Sequence, residues 1–165
     1  MMVRSHVVVG VAAWLAAAPL LHLPQLDPGA LVLAVAGALL PDVDHPQSWV
    51  GRRTRPVSTI VAATLGHRGV THSAVAVVAL IALLAEAGSR RITADALAVG
   101  YLSHLAADLL TPRGLRLAWP LRRTWALPLC RSGSPAEPLI VLGLLGGIGW
   151  FLWHGAAPGL AHWLR

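Results

Sequence analysis

Residues 93–110 read TADALAVGYLSHLAADLL, an apolar run of helical length with His104 and Asp108 four residues apart near its end. Four residues is slightly more than one helical turn, so both side chains project from one face. Taken alone, such a pair is more often a surface ion pair or a hydrogen-bonded core pair than a shared metal site. The flanks Leu102, Leu105, Leu109 and Leu110 are apolar, which removes a solvated face as the explanation. Thr93 is the expected N-cap and Pro112 lies beyond the expected end.

Working outward, the rest of the chain repeats this pattern of apolar runs with polar ends. Of 165 residues, 56% are hydrophobic and only 12% charged, and the mean hydropathy is +0.65. Those values point into a bilayer. The apolar bulk is Ala, Leu, Val and Gly, which suits close helix packing in lipid. Seven tryptophans (Trp14, Trp49, Trp119, Trp125, Trp150, Trp153, Trp163) include several near the ends of apolar runs, as interfacial anchors stand. Runs at 6–23, 29–40, 73–87, 93–110 and 138–153 predict five helices. The fold expected is therefore all-α: a polytopic membrane protein of about five transmembrane or membrane-embedded helices, forming a single domain over residues 1–165. The first run resembles a signal peptide, with Arg4 before it and Ala16-Ala17-Ala18 as a cleavage tripeptide. Pro19 directly after that tripeptide makes cleavage unattractive, and an uncleaved helix is expected. Residues 57–65 form an apolar piece suited to lie along the interface.

All thirteen basic residues are arginine. Threading the five helices with the N-terminus inside puts ten of them (Arg4, Arg52, Arg53, Arg55, Arg68, Arg113, Arg116, Arg122, Arg123, Arg131) on one side. Arg90, Arg91 and Arg165 fall on the other. This bias predicts a cytoplasmic N-terminus in a bacterial inner membrane, with the arginines meeting anionic lipid. No basic helix or aromatic stacking motif accompanies them, so a nucleic-acid partner is not expected. A single cysteine, Cys130, excludes an internal disulfide and a multi-cysteine zinc site, leaving nitrogen and oxygen ligands.

The same threading gathers the metal-binding residue types at one face. It brings together His6, then Asp42, Asp44 and His45 in PDVDHP, His67 and His72 in GHRGVTHS, His104 with Asp108, and Glu137 opening the last helix. Alternate aspartates in a Pro-bracketed turn can aim into one site as an extended strand would, or cap a helix end in solvent. Thr71 is a candidate cap, and His67 and His72 are ligands or interfacial histidines. His22, His154 and His162 fall on the opposite side. Nine candidates exceed the need of one tetrahedral ion, so two or three metals sharing a carboxylate fit better, with Zn²⁺ first and Mn²⁺ or Fe²⁺ next. Asp42 or Asp44 can bridge metals or accept a proton from water, and Arg68 can neutralise a phosphate oxygen.

The order PDVDHP, GHRGVTHS, GYLSHLAADLLTPRGLRLAWP and then Glu137 resembles the YdjM-like family of bacterial inner-membrane proteins, described as metal-dependent hydrolases. The resemblance covers the chain from His6 to about Leu142. It implies a metal site built from His6, Asp42, Asp44, His45, His67, His72, His104, Asp108 and Glu137. The family's ligand pattern is in turn similar to zinc-dependent phospholipase C and its nuclease relatives, which have a HxxxD pair and a trinuclear zinc site. The family is also described as binding the repressor LexA, so a regulatory protein partner is among its implications. The function expected is metal-dependent hydrolysis of phosphoester bonds in a lipid-like substrate. The alternative is a membrane scaffold or regulatory binding protein whose metal is structural.

Overall fold

The first apolar run forms helix α1 (Val3–Leu20), which carries Pro19 in its last turn, where the chain leaves the helix. The computed structural model describes residues 1–65, 69–121 and 123–155, and every regular element among them is helical. Helix α2 (Pro28–Leu39) opens with proline at a position that needs no N–H. The Asp27 carboxylate caps it by accepting the Ala30 N–H at 2.7 Å. Pro41 then removes a donor that an α-helix would use, and the chain tightens into a 3-10 turn (Leu40–Asp44). The Pro-bracketed turn expected for Asp42 and Asp44 is thus present, with 3-10 rather than strand-like backbone. Short α3 (Trp49–Arg53) is capped by Ser48, and α4 (Arg55–Leu65) follows. A second 3-10 turn (Val70–His72) leads into α5 (Ala74–Glu86), and then come α6 (Arg91–Leu109) and α7 (Ala136–Gly155).

Two expected caps are corrected. Helix α6 starts before Thr93, with Arg90 at the cap position and no side-chain bond there. Ser73, not Thr71, precedes α5, and the Thr71 hydroxyl is used elsewhere.

The core is the packing of α6 against α2 and α1, and small residues make it close. A Cβ on Gly100 would stand 2.0 Å from the Ala34 carbonyl oxygen, and one on Gly37 would stand 2.2 Å from that of Leu97. Trp14, Ala18, Ala30, Ala34 and Ala96 form one buried cluster; Val77, Tyr101, Leu105 and Leu115 form another. Trp14 is thus a core residue, not an interfacial anchor. Its indole N–H donates to the Gln25 carbonyl at 3.1 Å, which makes its burial tolerable. After α6 the chain folds back: the Leu127 and Leu129 N–H groups donate to the Leu109 and Leu110 carbonyls at 2.7 and 3.0 Å. Carbonyls at a helix end are otherwise left without partners.

Two helices among the described residues, α1 and α7, are long and apolar enough to cross a membrane. Helix α5 is apolar but has 13 residues, about 20 Å against a hydrocarbon core of about 30 Å. Helix α6 has the length but is diluted by Arg91, Asp95, His104 and Asp108.

Candidate metal centre

Four elements converge on one buried volume. The first turns of α1 supply His6, the 3-10 turn after α2 supplies Asp42 and Asp44, the turn before α5 supplies His72, and the last turns of α6 supply His104 and Asp108. His6, Asp44, His72, His104 and Asp108 are each at most 1% exposed, whereas Asp42 is half-buried at the edge. Charged and titratable groups are rarely this buried without a partner that justifies them.

Hydrogen bonds determine which nitrogens face inward. His104 Nδ1 lies 2.7 Å from the Ala38 carbonyl oxygen, which can only accept, so Nδ1 carries the proton and Nε2 presents a lone pair. Thr71 Oγ1 donates to Asp44 Oδ2, which leaves its lone pairs free to accept from His72 Nδ1 at 3.1 Å. His72 Nδ1 is also 3.3 Å from that carboxylate. His72 Nε2 therefore presents a lone pair as well, and it faces His104 Nε2 at 3.3 Å. Two lone pairs aimed at each other across a buried gap repel unless a cation or a proton stands between them.

Asp108 Oδ2 completes a triangle, 3.9 Å from His104 Nε2 and 4.0 Å from His72 Nε2. The point equidistant from the three atoms lies about 2.2 Å from each, close to the 2.0–2.2 Å of zinc–nitrogen and zinc–carboxylate bonds. The residues thus fit a divalent ion. The outer partners of both imidazoles, a carbonyl and a hydroxyl–carboxylate relay, are of the kind that orient metal-ligating histidines.

The second Asp108 oxygen looks the other way. Oδ1 is 3.4 Å from His6 Nε2 and is contacted by the Met1 amino group. His6 stacks on His104 with ring centroids 3.9 Å apart and an interplanar angle of 13°. Its Nδ1 is buried without a hydrogen-bond partner. Among the described residues two further sets overlap this triangle and can hold a metal ion, His6 with His104 and Asp108, and Asp42 with His72 and His104, each with ligand atoms within 4.8 Å. Asp108 has the geometry of a carboxylate shared between two neighbourhoods.

The other candidates stand apart or lie outside the described residues. Glu137 is buried, but its carboxylate accepts from the Met2 N–H at 2.7 Å, the Gly133 N–H at 2.6 Å and the Ser5 hydroxyl. It ties α7 and the preceding loop to the start of α1. His45 is half-buried at the end of the first 3-10 turn and belongs to neither metal-holding set. His67 and Arg68 lie outside the described residues, as do Arg122 and His162. Burial pushes the Cys130 thiol up, with Glu137 adding to the shift, and a neutral thiol is a poor metal ligand. His22 follows the far end of α1, and His154, at the far end of α7, approaches the Trp150 carbonyl.

Sequence reasoning missed three supporting groups. The Thr71 hydroxyl relays between His72 and Asp44, the Tyr101 hydroxyl donates to the Thr71 carbonyl, and the Ala38 carbonyl fixes His104. Tyr101 had a signal, since it is the chain's one tyrosine and sits three residues before His104 on the same helical face.

The YdjM inner membrane protein family matches residues 1–164 of this chain. The chain is 42% identical over 127 residues to inner membrane protein YdjM of Escherichia coli (strain K12), covering 73% of this chain and 63% of that protein. The match thus spans somewhat less than two thirds of that relative's length. A Bacillus subtilis (strain 168) protein, YvsG, is 32% identical over 143 residues, 86% of this chain and 88% of its own. No solved structure matches. With the family match running from the first residue through the His6, Asp42, His72 and His104 segments to the end of α7, the chain belongs to the YdjM family of inner membrane proteins.

Proposed function

We propose that the protein is a membrane-bound, metal-dependent hydrolase of phosphoester bonds in a lipid-like substrate. The observation that carries the reading is the triangle of His72 Nε2, His104 Nε2 and Asp108 Oδ2, whose edges of 3.3, 3.9 and 4.0 Å suit one divalent ion. Two imidazoles and a carboxylate favour Zn²⁺, with Mn²⁺ or Fe²⁺ as alternatives, and three protein ligands leave a fourth position for water. The second oxygen of Asp108, with His6 beside it, supports a cluster of two or three ions. Such a cluster, when bound, acidifies water and neutralises charge at a phosphoryl centre.

The chain's own groups take distinct roles. Asp42, half-buried at the edge of the cluster, accepts the proton of the attacking water. Asp44 and Thr71 hold the His72 ring in its orientation. Arg68 neutralises a phosphate oxygen. In the membrane, α1 and α7 span the bilayer, the shorter helices are embedded beside them, and the arginine bias puts the N-terminus and the centre on the cytoplasmic side. Residues 1–165 act as one domain, with membrane lipids as its surroundings, a regulatory protein as a further partner and no nucleic acid.

A second reading is favoured by the nearly complete burial of the five inner groups: the metal staples helix ends in a scaffold or regulatory binding protein. Asp42→Asn separates the two. The hydrolase reading expects the ion held by His72, His104 and Asp108 to stay, at least one per chain, while turnover of a phospholipid and phosphoester panel falls about 100-fold or more. Unchanged turnover, or no turnover by metal-loaded wild type across the panel, favours the staple. Thr71→Val removes the relay behind His72, and zinc affinity in a chelator competition is expected to drop about 10- to 100-fold.

A further inference from the structure

A groove of about 640 Å³ runs along α1 and α7, the two helices long enough to cross a membrane. Val8, Val141, Leu142 and Leu145 line it, so its length is apolar and of the same chemistry as an acyl chain. Its polar end holds Arg4 and Ser134. Arg4 is exposed and has no ion-pair partner among the described residues, and the Ser134 hydroxyl is buried without a hydrogen bond. Glu137 also lines the groove and stays ionised, but the Met2 and Gly133 N–H groups and the Ser5 hydroxyl all donate to its carboxylate, so its oxygens are turned to those donors and Arg4 is left as the group that meets an anion.

We infer that this groove seats an anionic glycerophospholipid, with its phosphate on Arg4 and Ser134 and one acyl chain between α1 and α7. A cation at one end of an apolar groove between two spans complements that molecule: the phosphate meets the arginine near the membrane surface, and the chain stays in hydrocarbon. The polar end adjoins the metal centre through the chain itself. Met2 and Ser5 line the groove, while their neighbours Met1 and His6 approach Asp108 Oδ1. The seat deepens the hydrolase reading by bringing a lipid headgroup to the cluster, and as a binding property it is measured without turnover.

The test is native mass spectrometry of the full-length protein in detergent, titrated with dioleoyl phosphatidylglycerol, with metal content measured on the same samples. Wild type is expected to retain one phosphatidylglycerol per chain in preference to phosphatidylcholine. Arg4→Gln is expected to weaken retention about fivefold or more. Leu145→Trp, which fills the groove, is expected to act in the same direction. Retention in Arg4→Gln equal to wild type overturns the seat, as does equal retention of phosphatidylcholine or full competition by inorganic phosphate. Arg4 is exposed, so this variant decides the matter even where Leu145→Trp fails to fold. Wild type that selects phosphatidylglycerol but arrives metal-free and takes up no Zn²⁺, Mn²⁺ or Fe²⁺ when supplied leaves the seat standing and sinks the hydrolase reading. A metal-loaded, active protein whose Arg4→Gln variant retains lipid normally sinks the seat alone.

Discussion

His104→Ala is expected to strip the protein of its metal. His104 is fully buried and meets every part of the centre: it donates to the Ala38 carbonyl, stacks on His6, and faces His72 Nε2 at 3.3 Å and Asp108 Oδ2 at 3.9 Å. The triangle and both overlapping sets include it, so among the described residues no alternative set survives its loss. Removing an outer-shell partner costs about 10- to 100-fold in affinity, and loss of an inner ligand shared by two sets exceeds that. Elemental analysis of the purified variant should find less than about a tenth of the wild-type metal, since an affinity loss beyond 100-fold leaves little bound through purification. The variant also leaves the Ala38 carbonyl without its donor and a cavity beneath His6, so it unfolds more readily than wild type. Comparison with wild type stripped by chelator separates lost metal from lost packing. Metal retained at the wild-type level by His104→Ala would remove the triangle from the account.

Gly100→Val is expected to have the largest effect on the fold. Even the first carbon would lie 2.0 Å from the Ala34 oxygen, 2.8 Å from its carbonyl carbon and 2.9 Å from the Ala38 nitrogen. These are backbone atoms of α2, so no side chain can turn aside, and the two helices must separate. Overpacking commonly costs about 1–3 kcal/mol, and contact with backbone on two residues puts this case at or above the upper end. The effect reaches the centre because Ala38 carries the carbonyl that orients His104. Thermal unfolding should shift down together with metal affinity. Gly143→Val on α7 is the control, since nothing lies within 4 Å of a Cβ there. Equal effects at the two glycines would mean that α2 and α6 do not pack this closely.

The centre was legible where it rested on local spacing and illegible where it rested on backbone groups. His104 and Asp108 share a face because four residues make about one turn, whatever the rest of the chain does. That His6, Asp42, Asp44 and His72 lie near them follows from antiparallel helices alternating their ends. Alternation could not show that Glu137 turns instead to the Met2 and Gly133 N–H groups, because those donors are backbone atoms without a sequence signature. In the Asp42–Asp44 stretch the bracketing prolines made a turn legible but not its type, and packing against α2, α3 and α4 accompanies the 3-10 form. Thr71 has the composition of a cap, but its hydroxyl is taken by Asp44, 27 residues away.

The helices themselves were readable, their membrane depth less so. Apolar runs located five of them, but α2 and α5 end after 12 and 13 residues, too short to span alone. Trp14 stands near the middle of α1 and is buried because Gln25 folds back to offer its carbonyl, a contact across the turn that hydropathy does not encode. Short α3 has no apolar run at all and exists because Ser48 caps it.

Metal stoichiometry tests the central claim most directly. The protein, purified from membranes without chelators, should carry at least one zinc-type divalent ion per chain. X-ray absorption at the metal edge should show nitrogen and oxygen ligands at about 2.0–2.2 Å. Protein that arrives without metal and does not take up Zn²⁺, Mn²⁺ or Fe²⁺ when it is supplied would contradict the account.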